Sequence, residues 1–180
     1  MNTFVVLVEN VPGVLTRVAS LVRRRGFNIE SLTVGHTETD EVSRMTIVID
    51  TDDLGARRVE AHLYKLLNVL RVDHISAQTA VLRDLALIKV SATPETRAQI
   101  MQLTQVFRAR VVDVSPTSLM IETTGTEDKV DSLIEVLRPY GILEMARTGR
   151  VAMARGTGPT RTQTYEDVEA TEDSNVSYSV

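Results

Sequence analysis

The 180-residue chain carries 20 Lys and Arg against 24 Asp and Glu, is 43% hydrophobic and 24% charged, and contains neither Cys nor Trp. That length suits one medium or two small globular units with modest cores, and the missing cysteines exclude a disulfide framework, a Cys-based zinc site and a cysteine nucleophile. Residues 156–180 hold five acids (Glu166, Asp167, Glu169, Glu172, Asp173) against Arg161, so the net charge of −4 sits there and the rest balances at 19 bases to 19 acids. Without a basic surplus, nucleic-acid binding is not expected, and a 4% aromatic share argues against a sheet of base-stacking rings.

Phe4–Glu9 is a β-branched apolar run closed by Asn10-Val11-Pro12-Gly13, which predicts an opening strand and a turn. The run lacks a basic flank and is too short for a signal segment or a membrane span, so no membrane association and a cytoplasmic location are expected. In Val14–Arg25, the residues Val14, Leu15, Val18, Leu21 and Val22 fall on one helical stripe, and Gly26 stops the helix. Asn28–Val34 and Ser43–Asp50 read as strands around the polar loop 35–42. Met45, Ile47 and Ile49 alternate with Thr46 and Val48, which predicts one buried face. Leu54–Asn68 has Val59, Leu63, Leu66 and Leu67 at helical spacing, and Val69–Ala77 returns to strand. The order is β-α-β-β-α-β, a ferredoxin-like split βαβ unit.

The order then repeats. Leu85–Val90 is a strand, and Pro94–Phe107 a helix with Ile100, Leu103, Thr104 and Phe107 inward. Ala109–Val114 and Ser118–Glu122 are strands. Thr126 is placed to cap a helix over Glu127–Arg138, and Ile142–Met153 is a last strand bent near Gly149. The fold class is therefore α+β: two consecutive ferredoxin-like βαββαβ units over 1–78 and 79–156. Residues 157–180 are too polar to offset the cost of ordering and read as a disordered acidic tail.

Catalytic chemistry is hard to find. His36 reads as a loop residue, His62 as a polar helix position and His74 as an exposed strand residue. None has metalloprotease, nucleophile-elbow or phosphate-loop spacing. Asp50, Asp52 and Asp53 lie where a strand meets a helix, as capping acids do, and lack calcium-loop spacing. No catalytic residue, metal site or cofactor site is expected. Arg23-Arg24-Arg25 suits the last turn of a helix, where cations complement the dipole; it is also a candidate contact for an acidic partner surface.

The informative segment is Glu9–Leu15 together with Asn28. Gly13 permits close backbone approach, and the N–H groups of Gly13, Val14 and Leu15 open a helix, which suits a carboxylate or phosphate. Asn10 and Asn28 offer amide oxygens to an ammonium group, beside the apolar Val14, Leu15 and Ile29. These residues fit a free apolar α-amino acid. They fit equally well a tight turn with two capping amides, and the residues alone leave both readings open.

Glu9-Asn10-x-x-Gly13-x-Leu15 followed by Arg25-Gly26-Phe27-Asn28-Ile29-Glu30-Ser31-Leu32-Thr33-Val34 resembles the ACT domain of the regulatory (small) subunits of acetolactate synthase, also called acetohydroxyacid synthase. Ser43–Ile47, Leu63–Val72, Leu87–Val90, Phe107–Pro116 and Ala146–Gly156 continue the likeness, in order, across residues 3–156. The resemblance implies a non-catalytic subunit that binds and activates a large catalytic subunit, forms a homodimer through its ACT domains, and confers feedback inhibition by a branched-chain amino acid, valine first among them. It implies effector contacts from Asn10, Gly13, Val14 and Leu15, with Asn28 and Ile29 supplied by the partner chain. Thiamine diphosphate, FAD and Mg²⁺ would belong to the large subunit. The alternative is a free-standing amino-acid sensor acting on transcription, for which no helix-turn-helix or basic surface is visible.

Overall fold

The computed structural model describes residues 1–156; the expected acidic tail at 157–180 lies outside the described residues. The first unit consists of β1 (Asn2–Glu9), α1 (Val14–Arg24), β2 (Ile29–His36), β3 (Val42–Ile49), α2 (Asp53–Leu63) and β4 (Val69–His74). Its strands form an antiparallel sheet in the order β2-β3-β1-β4. The second unit repeats the order with β5 (Ala80–Ser91), α3 (Pro94–Val106), β6 (Arg110–Val114), β7 (Ser118–Gly125), α4 (Glu127–Leu137) and β8 (Ile142–Arg147), in the sheet order β6-β7-β5-β8. This is the doubled βαββαβ arrangement expected from hydrophobic periodicity. Each unit has its own core. Phe4, Val6, Val8, Val18, Val22, Ile47 and Leu63 fill the first, and Ile88, Val90, Ile100, Ile121, Leu133 and Leu137 the second.

Several local expectations need correction. The last strand is two strands: β8 stops at Arg147, and β9 (Val151–Ala154) turns back to pair with Ala80–Arg83, the extended start of β5. This β5–β9 ribbon lies against the face of the first sheet that its helices leave open. Val5, Ile75 and Ala152 form a buried cluster there, with Ala80 and Leu82 packed against it. Thr46 and Val48, read from alternation as the outward positions of β3, are consequently buried as well.

The α2 helix ends at Leu63, because Tyr64–Asn68 turns back through the bonds Lys65 N–H to His62 O and Leu66 N–H to Leu63 O. Asp52 caps α2 through the Gly55 N–H at 2.7 Å, as its position predicts. Thr126 makes no side-chain cap on α4; Glu127 and Asp128 supply that helix's favourable N-terminal charge instead. His36 closes β2 rather than lying in a loop. His74 is not an exposed strand residue: its ring stacks on Phe4 at 4.9 Å, and its Nε2 meets Asn2 Oδ1 at 2.8 Å.

Candidate functional site

The turn 10–13 joins the end of β1 to the start of α1. Gly13 sits at φ 87°, in the left-handed region that a Cβ disfavours, and no atom approaches within 4 Å of where a Cβ would project. Its carbonyl accepts the first helical bond, from Arg17 N–H at 3.0 Å. No side chain caps the helix and its first turn contains no acid. The N–H groups of Val14 and Leu15 have no hydrogen-bond partner among the described residues. A helix start in this condition is ready to donate to a carboxylate.

The flanks of the turn are firmly held. Asn10 N–H donates to Glu41 O at 2.7 Å, its side-chain amide donates to Asp40 O at 2.9 Å, and its Oδ1 accepts from Ser43 Oγ at 3.0 Å. On the other side Asn68 donates to Glu9 Oε2 at 2.6 Å and accepts from Arg17 Nη1 at 2.5 Å. Asn10 is thus a tether between β1 and the β2–β3 loop, and it can also offer the second lone pair of Oδ1. Sequence reasoning missed Asp40, Ser43 and Asn68, which hold the turn from elements distant in the chain.

Val14 and Leu15 differ. The Val14 side chain is 3% exposed and belongs to the core, so only its N–H faces the turn, whereas Leu15 is 42% exposed. The apolar character expected of Val14 is therefore spent on folding. Asn28 is exposed and its amide donates to Glu30 Oε1; Ile29 begins β2 and packs against the first core.

One chain does not bring these residues together. Glu9 pairs with Val42 at one end of β3, whereas Ile29 pairs with Ile49 at the other. With a rise of about 3.3 Å per residue, the two ends are roughly 23 Å apart. Asn10, Gly13, Val14 and Leu15 gather at one end of the sheet; Asn28 and Ile29 lie at the opposite end. A recess of about 340 Å³ lined by Leu21, Arg24 and Arg25 opens at the C-terminal end of α1, away from Gly13. Strand β2 pairs only with β3 among the described residues, so its outer edge is open.

Among the described residues, no three or more His, Cys, Asp or Glu side chains are grouped to hold a metal, and no helix is long and apolar enough to cross a membrane. A partly buried ion-pair network lies elsewhere, where Arg147 Nε donates to the buried Asp84 at 2.8 Å and its Nη1 donates to Asp131 at 2.7 Å. Burial works against the Arg147 charge, but these two carboxylates outweigh it and raise its proton affinity.

Comparison with known proteins gives two matches to family models. Residues 4–71 match the acetohydroxyacid synthase small-subunit-like ACT domain, and residues 83–156 match the small subunit of acetolactate synthase. The chain is 57% identical over 155 residues to a probable acetolactate synthase small subunit of Archaeoglobus fulgidus, covering 86% of this chain and 97% of that protein. It is 51% identical to the acetolactate synthase small subunit of Mycolicibacterium smegmatis, over 86% of this chain and 91% of that one. The crystal structure of the acetolactate synthase small subunit from Thermotoga maritima superposes with a TM-score of 0.81 at 41% identity, over 86% of this chain and 97% of that chain.

Proposed function

The chain belongs to the family of regulatory small subunits of acetolactate synthase and carries its ACT domain, and from that premise we propose that it activates a large catalytic subunit and makes it sensitive to a branched-chain amino acid, valine, bound between two copies of residues 1–78. Residues 79–156 form the second unit of this division. The carbon–carbon bond formation belongs to the large subunit, which would hold thiamine diphosphate, FAD and Mg²⁺ and would work in the cytoplasm.

The observation that carries the reading is the division of the candidate residues between opposite ends of one sheet. If two β2 edges pair antiparallel about a two-fold axis, each strand's start lies beside the other strand's end. That places Asn28 and Ile29 of the partner subunit near the turn at Gly13. The uncapped N–H groups of Val14 and Leu15 would take the carboxylate. The oxygens of Asn10 and of the partner's Asn28 would take the ammonium, and Leu15 with the partner's Ile29 would take the branched side chain. A zwitterion suits a site that offers donors and acceptors with no net charge of its own.

Effector binding at a dimer interface gives regulation a physical route, because the ligand favours the dimer arrangement that completes its own site. Coupling to the large subunit is then reciprocal in binding free energy. The test is acetolactate formation by the large subunit, alone and with this chain, over a valine titration. Stimulation by the chain and inhibition by valine only in its presence are expected. No stimulation and no valine response would overturn the reading.

A further inference from the structure

The β8–β9 connection touches the strand that begins with Ile29. Ser31 Oγ accepts from Arg150 N–H at 3.1 Å, and Thr33 Oγ1 lies 3.2 Å from both Thr148 O and Arg150 O. Gly149, at φ 79°, passes so close to β2 that a Cβ there would stand 2.2 Å from Ser31 Oγ and 3.3 Å from Ser31 Cβ. The contact falls just beyond the irregularity in β2–β3 pairing between Ile29 and Ser31, where the β2–β3 ladder is interrupted and holds the strand least.

The connection is itself anchored on both sides. Arg150 Nη1 donates to Thr3 Oγ1 of β1 at 2.9 Å, and its Nη2 pairs with Glu127 at the start of α4. Arg147 binds Asp131 on α4 and Asp84 on β5. Thr148 N–H donates to Leu85 O at 3.0 Å. The start of β2 thus has β3 on one side, an open edge on the other, and a rigid turn of the second unit beneath it.

We propose that the turn Thr148–Arg150 is a positioning element of the effector site: through Ser31 and Thr33 it sets where Asn28 and Ile29 stand, and so makes the second unit part of the effector response. The proposal rests on the reading of Asn28 and Ile29 as effector contacts. Gly149, Arg150 and Ser31 do not touch the ligand in this scheme; they act through β2. A methyl group at residue 149 pushes on Ser31, and removing the Ser31 hydroxyl clears the closest part of that clash.

The experiment uses the full chain in three variants, Gly149→Ala, Ser31→Ala and the double substitution, with two readouts. Hydrogen–deuterium exchange without ligand reports β2 directly. Amides of residues 29–33 should exchange at least tenfold faster in Gly149→Ala, while those of β7 stay within threefold. Ser31→Ala alone loses the bond from Arg150 N–H but keeps both Thr33 contacts, so exchange of residues 29–33 should rise clearly less than in Gly149→Ala, and the double variant should return to within threefold of Ser31→Ala. Wild-type exchange in Gly149→Ala overturns the proposal. A double variant as perturbed as Gly149→Ala also overturns it, because the effect would then come from backbone strain at residue 149. Calorimetric titration with valine is the second readout: Gly149→Ala should weaken binding about tenfold, with recovery in the double variant. Altered exchange with unaltered valine affinity overturns the link to the effector site. If the parent chain itself binds no valine, the effector reading fails, and the exchange result alone decides whether the turn positions β2.

Discussion

Replacing Gly13 by Asp places a carboxylate where the proposed effector carboxylate would bind. The fold should tolerate it. No atom lies within 4 Å of the Cβ position, and Asp is among the residues that occupy the left-handed region at small cost, where an ordinary side chain loses about 1–2 kcal/mol. Position 13 lies in the left-handed region rather than the extended backbone of a capping residue, so no cap offsets that loss. Because Asp tolerates the region better than an ordinary side chain, folding stability should fall by about 1 kcal/mol or less. Binding is another matter. Two carboxylates about 4 Å apart repel by about 4 kcal/mol at the effective dielectric of a partly exposed site, which weakens affinity on the order of a thousandfold. Gly13→Asn separates charge from bulk, since it has the same shape and backbone tolerance but no charge. Calorimetric titration of valine into the full chain, with melting followed by circular dichroism, reads both quantities. The Asp variant should bind at least a hundredfold more weakly than the Asn variant at similar melting temperature. A difference of less than tenfold between them would refute the electrostatic argument, and undiminished binding by both would remove Gly13 from the site.

Arg147→Met leaves the buried Asp84 carboxylate without its partner. Losing one member of such a pair costs about 3–5 kcal/mol, which should appear as a lower urea midpoint with little change in slope. A fragment ending at residue 78 uncovers Val5 and Ile75, which the β5–β9 ribbon shields. At about 1.5–3 kcal/mol per large buried side chain, the fragment should unfold at clearly lower denaturant than the full chain; an equal midpoint would show that the ribbon contributes nothing. Burial holds the Glu60 carboxyl above its usual value of 4.5, against the pull of His74. The folded state therefore binds that proton more tightly than the unfolded state, and stability falls as pH rises from about 4.5 through the raised value. Glu60→Gln should melt above the parent at neutral pH, with the difference closing as the solution is acidified toward 4.5.

Periodicity places α1, the body of α2, the paired βαββαβ order and the turn at Gly13, because each is a local property of neighbouring residues; Leu15 and Leu67, counted on the two helical stripes, are exposed instead, and Leu67 lies beyond the end of α2. The physics of that turn was legible in the same way: a glycine before an uncapped helix start implies available N–H groups. The alternation of Met45, Ile47 and Ile49 predicted one buried face of β3 correctly. That Thr46 and Val48 are buried too could not be read locally, since what covers that face is the β5–β9 ribbon around Ala152, about a hundred positions away. Asn10 shows the same limit, for its amide is committed to Asp40 and Ser43 across a loop closure.

Local pattern specifies most of the elements and which residues carry donors, acceptors and apolar surface, because dihedral preference and amphipathic period act over a few residues; the separate strand β9 and the early end of α2 escape it. Only the tertiary structure decided that Gly13 and Asn28 stand at opposite ends of one sheet, and that the second unit reaches under β2 through Gly149 and Arg150. Strand register and sheet order fix those distances, and both arise from contacts between segments that no local pattern couples.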